Sequence, residues 1–159
     1  MQDIDLVISS NYVRAISTAK YIAHHNKIDL NIIEDFGERK FGVNSWNEKS
    51  KNFTQKQIED ESFKMSKGES RKETADRMYN ALLKILNEYP GKRIAIISHA
   101  TAITYLFMKM FNSNGLTIKY GNNLLMDRNF KWNAPEVFKL IYEDNELVSI
   151  ENVRNFNDK

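Results

Sequence analysis

The run Ile94-Ala-Ile-Ile97 constrains this chain more than any other stretch. It is continuously apolar and of strand length, and Pro90-Gly91 lies before it and Ser98-His99 after it. Such a run fits a strand buried on both faces, as in a parallel sheet. The segments beside it read as helices. Ala75, Met78, Tyr79, Leu82, Leu83 and Leu86 make a stripe at helical spacing. Ser70 and Glu73 form the S-x-x-E signature of a capping box at its start, and Pro90-Gly91 marks its stop. After the apolar run, a helix is predicted from Ala100 to Phe111, stopping at Asn112-Ser-Asn-Gly115.

The same alternation holds upstream. Ile4 to Ile8 reads as a strand, followed by a helix over residues 11–25 with Ala15, Ala19, Ile22 and Ala23 on one face. Ile28 to Ile33 is a second strand candidate. Residues 35–67 are polar and irregular, with a short helix near Gln55 to Phe63; a connection that long in a compact domain is usually functional. At the C-terminal end, Glu136–Tyr142 and Leu147–Ile150 flank Asp144-Asn145 as a β-hairpin. Strands alternating with helices predict an α/β fold with three α/β/α layers, a mostly parallel sheet and a C-terminal hairpin. With 159 residues and no linker or repeat, residues 1–159 read as one domain.

Charge narrows the partners. The net charge is +2 with both signs interspersed, which argues against nucleic acid or a membrane surface. No cysteine is present, so disulfides and cysteine-based metal or redox sites are excluded. No stretch approaches the length of a membrane-spanning helix, and Met1-Gln-Asp-Ile-Asp5 lacks the features of a signal peptide. A cytoplasmic location is the default expectation.

In open α/β sheets, ligands bind beyond the carboxyl ends of the strands. Two predicted strands pass directly into helices there, through Ser9-Ser-Asn-Tyr-Val-Arg14 and Ser98-His99-Ala100. Each turn aims backbone N–H groups and the positive end of a helix dipole at one rim, which favours an anion. Arg14 can fork onto a phosphate from the first turn of its helix, and His99 stands at the other strand end. Each residue also has a plainer reading. A histidine after a strand is more often structural, Ser9 and Ser10 can simply cap a helix, and Glu38-Arg39 looks like a surface ion pair. The charges from Lys64 to Glu73 read as a solvated helix entry. His24 and His25 are adjacent, so they point apart and make no i,i+4 metal pair. Trp46 and Trp132 fit a pocket wall or the core equally well.

Taken in order, these segments resemble the histidine phosphatase (phosphoglycerate mutase-like) superfamily. Ser9-Ser-Asn-Tyr-Val-Arg14-Ala15 is similar to S-S-P-L-x-R-A, with Asn11 and Tyr12 in place of proline and leucine. Glu38-Arg39-Lys-Phe-Gly42 resembles E-R-x-x-G, and Gly68-Glu-Ser70 with Arg77 resembles G-E-S…R. Ser98-His99-Ala100 matches S-H-G/A, and Trp132-Asn133 before the hairpin is similar to the family's C-terminal end. The family begins with a strand ending in R-H-G, and no R-H-G occurs in this chain. The resemblance therefore implies the family's fold without its first strand and helix.

In the family, the histidine of R-H-G attacks a phosphoryl group and forms a phosphohistidine. The resemblance implies that Arg14 holds the phosphate, that His99 and the backbone N–H of Ala100 stabilise its oxygens, and that Arg39 contacts substrate. Glu38 would protonate the leaving oxygen, a role that calls for a raised pKa. A phosphorylated small molecule is the implied ligand, with no metal or organic cofactor. The short span from Glu38 to Gly68, and the lack of an H-G-N-S-L-R run after His99, resemble the phosphatases rather than the mutases. Without the nucleophile the chain is expected to be inactive: a shortened enzyme, or a non-catalytic member that binds a phosphorylated ligand or a protein. A different α/β binding domain lacks support, because no glycine-rich phosphate loop or acidic metal cluster is present. An incomplete sheet also leads to the expectation of a homodimer through paired edges.

Overall fold

A computed structural model of the chain describes residues 3–48, 50–114, 117–127 and 136–153. Trp132-Asn133 lies outside these residues, as does the side chain of Trp46. The chain divides into two compact units, residues 1–109 and 110–159.

The first unit is built on a parallel sheet of three strands, β1 (Leu6–Ser9), β2 (Leu30–Ile32) and β3 (Ile94–Ile97), in the order β2-β1-β3. Val7 of β1 aligns with Leu30 on one side and Ala95 on the other. Helix α1 (Val13–Asn26) packs on this sheet through Ala15, Ala19 and Ala23, which recur every four residues and are all buried. Small side chains at this spacing let helix and strands approach closely. Val7, Ala19, Ala23 and Ala95 form the centre of that core, bordered by Ile4, Ile22, Ile28, Leu30 and Ile97. Lys27 ends the helix in the left-handed conformation, with its N–H turned back to the last carbonyls. His24 and His25 are both exposed on the last turn.

β3 is less enclosed than its sequence predicts. Only Ala95 is buried, and Ile94, Ile96 and Ile97 are half-buried. Among the described residues β3 pairs on one side only, with β1, so its other edge lacks the cover that a central strand receives.

Helix α2 (Phe53–Glu59) begins two residues before the predicted Gln55. Helix α3 (Arg71–Glu88) starts with the predicted capping box. Ser70 Oγ accepts from the Glu73 N–H at 3.0 Å, and Glu73 accepts from the Ser70 N–H at 2.9 Å. Its buried face includes Ala75, Met78 and Leu82 of the predicted stripe and adds Arg71, Thr74, Ala81 and Ile85, while Tyr79, Leu83 and Leu86 are only partly buried. Helix α4 (Ala100–Met110) follows β3.

The second unit is antiparallel. β4 (Asn112–Ser113), β5 (Thr117–Tyr120) and β6 (Asn123–Asp127) form one sheet, and β7 (Phe138–Glu143) and β8 (Glu146–Asn152) form the predicted hairpin. Asp144 and Asn145 both have positive φ, as a type I′ turn requires. The β5–β6 pair has no counterpart in the sequence-based expectation. Its two-residue loop places Gly121 at positive φ in the first position, where a type II′ turn takes glycine.

Candidate active site

β1 and β3 run side by side, so their carboxyl ends meet. The Ser10 N–H donates to the Ile97 carbonyl at 3.0 Å and joins the two exits. His99, on the last residue before α4, is 5% exposed. Its Nε2 lies 2.8 Å from Ser10 Oγ, and the Arg14 Nε–H donates to its Nδ1 at 3.1 Å. The second contact fixes the tautomer. A guanidinium only donates, so Nδ1 is the acceptor and Nε2 carries the proton. His99 therefore donates to Ser10 Oγ, and does not act as a base towards the serine. Burial, and then the charge of Arg14, push the imidazole down to about 4. His99 is neutral at neutral pH, with a fixed N–H donor.

Tyr12, which takes the leucine position of the motif, closes one side. Its ring meets His99 edge-on at 4.9 Å, and the Arg14 guanidinium lies over it at 4.8 Å. Arg14 is exposed, and among the described residues only its Nε has a hydrogen-bond partner within the guanidinium. Its terminal nitrogens keep their donors available. Ser9 and Ser10 are both fully buried, and neither side chain caps α1. Ser10 is the seat of His99, a role that its reading as a cap missed.

Glu38 approaches from the segment after a one-turn 3-10 helix (Glu34–Phe36). Its Oε1 accepts from the Ala102 N–H at 3.2 Å, in the first turn of α4, and from the Arg39 N–H at 2.9 Å. A second bond fastens the same segment to the His99 strand end: Ser98 Oγ donates to the Phe36 carbonyl at 2.7 Å. Ala100 is exposed and opens α4. His99, Arg14, Ala100 and Glu38 are thus gathered around the ends of β1 and β3.

Arg39 turns the other way. It is 4% exposed, far from the surface ion pair that its sequence predicts. Its Nε and Nη2 donate to the Glu69 carbonyl, each at 3.2 Å, and Nη1 donates to the Tyr105 hydroxyl at 3.0 Å. The rings of Phe41, Phe53 and Tyr105 surround it at 4.7, 5.3 and 5.5 Å. Burial lowers its pKa against a partial offset from Tyr105. The predicted solvated helix entry holds for Lys64, Lys67, Lys72 and Glu73, which are exposed, whereas Ser70 and Arg71 are buried and Glu69 is mostly so.

Two glycines explain how the E-R-x-x-G and G-E-S segments come together. Gly42 has φ +72°, and a Cβ there would collide with the Gly68 nitrogen and, at 2.5 Å, with the Lys67 carbonyl carbon. A Cβ on Gly68 would lie 2.5 Å from the Phe41 carbonyl oxygen. Each glycine makes room for the other's backbone.

Among the described residues no group of three or more histidines and carboxylates gathers to hold a metal, and no helix is long and apolar enough to cross a membrane.

No curated protein matches this sequence. Among solved structures, a phosphoserine phosphatase mutant from Entamoeba histolytica in complex with phosphoserine is similar over 92% of this chain and 73% of its own, with TM-score 0.64 and 20% identity. Bacillus stearothermophilus YhfR is similar over 91% and 71%, with TM-score 0.63 and 14% identity. The mycobacterial glucosyl-3-phosphoglycerate phosphatase in complex with inorganic phosphate is similar over 68% and 59%, with TM-score 0.59 and 17% identity. At these identities the likeness is one of fold, the phosphoglycerate mutase-like α/β fold. The chain spans between half and three-fifths of the length of several such structures, among them mycobacterial hydrolase 1 at 57% and mycobacterial hydrolase 2 at 53%. The family model of the histidine phosphatase superfamily (branch 1) matches residues 1–129, so this chain belongs to that superfamily.

Proposed function

We propose that the ends of β1 and β3 form the phosphoryl-binding half of a histidine phosphatase site, in a protein whose reaction is hydrolysis of phosphomonoesters. The observation that carries this reading is His99, neutral and pinned at the strand ends between Ser10 Oγ and Arg14 Nε, with Nε2–H as its donor. A phosphoryl oxygen is a stronger acceptor than a serine hydroxyl, so it takes the His99 proton donor from Ser10. Arg14 adds its unused terminal donors, and the Ala100 N–H lies at the positive end of α4. Charge that spreads over the equatorial oxygens during transfer meets a preorganised set of donors.

The reaction has two steps. A histidine nitrogen bonds to phosphorus as the P–O bond to the leaving group breaks, and Glu38 gives its proton to the departing oxygen. Water then attacks phosphorus, the N–P bond breaks, and Glu38 recovers a proton from that water. Ser10 does not replace the histidine as nucleophile, because His99 donates to it and cannot take its proton. Arg39 enters this reading as a substrate contact only if its bonds to Glu69 and Tyr105 open; as folded, it supports the chain segment that carries Glu38.

The R-H-G that supplies the nucleophile in the family has no counterpart in these 159 residues. That favours a second reading for the chain by itself: it binds a phosphorylated ligand and does not turn it over. In both readings the ligand is a phosphorylated small molecule. The test sets hydrolysis of p-nitrophenyl phosphate beside calorimetric binding of inorganic phosphate, for this chain and its His99→Ala variant. Phosphate binding that weakens at least tenfold in the variant, without hydrolysis above the buffer rate, is the expected result. Hydrolysis that vanishes in the variant would make His99 catalytic in this chain and reject the binding-only reading. Absence of phosphate binding would reject the site.

A further inference from the structure

We propose that Glu69 and Arg77 are positioning residues for Glu38: together they fix the segment that carries the proton donor, and neither touches the ligand. The proposal rests on the reading of Glu38 as that donor. Glu38 sits in the short stretch 35–40, which has only one 3-10 turn of regular structure. A carboxylate there would swing freely unless its neighbours were held.

They are held from both sides by one ion pair. Arg77 Nε donates to Glu69 Oε1 at 2.7 Å, and its Nη2 to Oε2 at 2.9 Å, a bidentate fork. The remaining nitrogen, Nη1, donates to the carbonyls of Asp35 and of Gly37, the latter at 3.3 Å. This fixes the backbone before Glu38. Glu69 fixes the backbone after it. Its Oε2 accepts from the Lys40 N–H at 3.0 Å, its N–H donates to the Lys40 carbonyl at 2.7 Å, and its carbonyl holds the Arg39 guanidinium.

The anchor is itself rigid. Arg77 stands on the 18-residue helix α3, whose first turn is closed by the Ser70–Glu73 box. The pair is mostly enclosed, with side-chain exposures of 19% for Arg77 and 17% for Glu69. Burial would raise the Glu69 carboxyl, but the bonds from Arg77 and the Lys40 N–H outweigh it and hold the group below its ordinary value. It therefore stays ionised and keeps the fork closed. A lysine at position 77 has one point charge and cannot reproduce the fork and the two carbonyl contacts together.

The test needs no turnover. The Arg39 and Ala102 amides both donate to Glu38 Oε1. In 15N–1H spectra at neutral pH, Glu38→Gln should displace both resonances from their wild-type positions. In Arg77→Met and in Glu69→Gln, the Ala102 resonance is expected to be displaced as in Glu38→Gln, while the amides of Val7 and Ile8 in β1 keep their wild-type shifts. The double variant should displace it no further than either single. An Ala102 resonance at its wild-type position in both variants would overturn the proposal. So would a general loss of dispersion in both, which would make the pair merely structural. If Arg77→Met alone fails to fold, the isosteric Glu69→Gln decides. A site that fails the phosphate-binding test can still pass this one, so the two readings fail separately.

Discussion

Beside His99, Arg14 keeps spare donors, whereas beside Glu69, Arg39 spends every guanidinium nitrogen. Arg14 is exposed and spends one guanidinium nitrogen on His99. Arg39 is buried and spends Nε, Nη1 and Nη2 on a carbonyl and a hydroxyl. Both arginines belong to segments that resemble family motifs, yet the first keeps its terminal donors free and the second fastens one loop to another. What separates the two uses is whether donors remain after the fold has taken its share.

The sharpest way to break this contrast is at the glycines that let the fastened region close. Gly42→Ala places a Cβ against the backbone at Gly68 and holds a non-glycine residue at positive φ. It should destabilise the chain by about 4 kcal/mol, read from the urea midpoint. Gly91 also has positive φ but meets nothing within 4 Å, so Gly91→Ala should cost only about 1 kcal/mol. Equal losses would mean that the Gly42–Gly68 approach is not what matters.

Next comes the arginine pair. Arg39→Met leaves the Glu69 carbonyl without its side-chain donors in an enclosed site, and about 3 kcal/mol of stability should go. Arg14→Met leaves only the His99 Nδ1 without its donor, so it should cost less, about 1 kcal/mol. Similar denaturation curves for the two variants would erase the distinction.

His99 gives a smaller, pH-dependent effect. The unfolded chain takes up the imidazole proton near 6.5 and the folded chain near 4. Between these values the unfolded state binds more protons, so stability falls as the pH drops through the window, by about 2–3 kcal/mol. Above 6.5 the contribution is fully present. His99→Gln should flatten this part of the stability–pH curve, and an unaltered slope would show that the imidazole is not held neutral by the fold. The smallest effect belongs to the exposed Lys84–Glu88 pair at 3.8 Å, where Lys84→Ala should change stability by less than about 0.5 kcal/mol.

How far the sequence could be read follows the same divide. Strand ends that run into helices are local features, so Ser10, Arg14 and His99 were legible as one rim, and the capping box at Ser70 was found where its spacing put it. The burial of Arg39 was not legible. The rings that enclose it come from Phe41, Phe53 and Tyr105, and nothing in the adjacent pair Glu38-Arg39 shows that they will meet. Tyr12 was visible only as a departure from a motif, and its contact with His99 needed the fold. The β5–β6 hairpin did carry a signal, Gly121-Asn122 between two short β-prone runs, but each strand is only four or five residues long.

The measurement that bears most directly on the central claim is calorimetric titration of inorganic phosphate into the wild-type chain and into Arg14→Met at neutral pH. Binding to the wild type should weaken at least tenfold in the variant, about 1.4 kcal/mol or more, with the fold intact. Equal affinity in the two, or no binding to either, would contradict the assignment of the His99–Arg14 rim as a phosphoryl site.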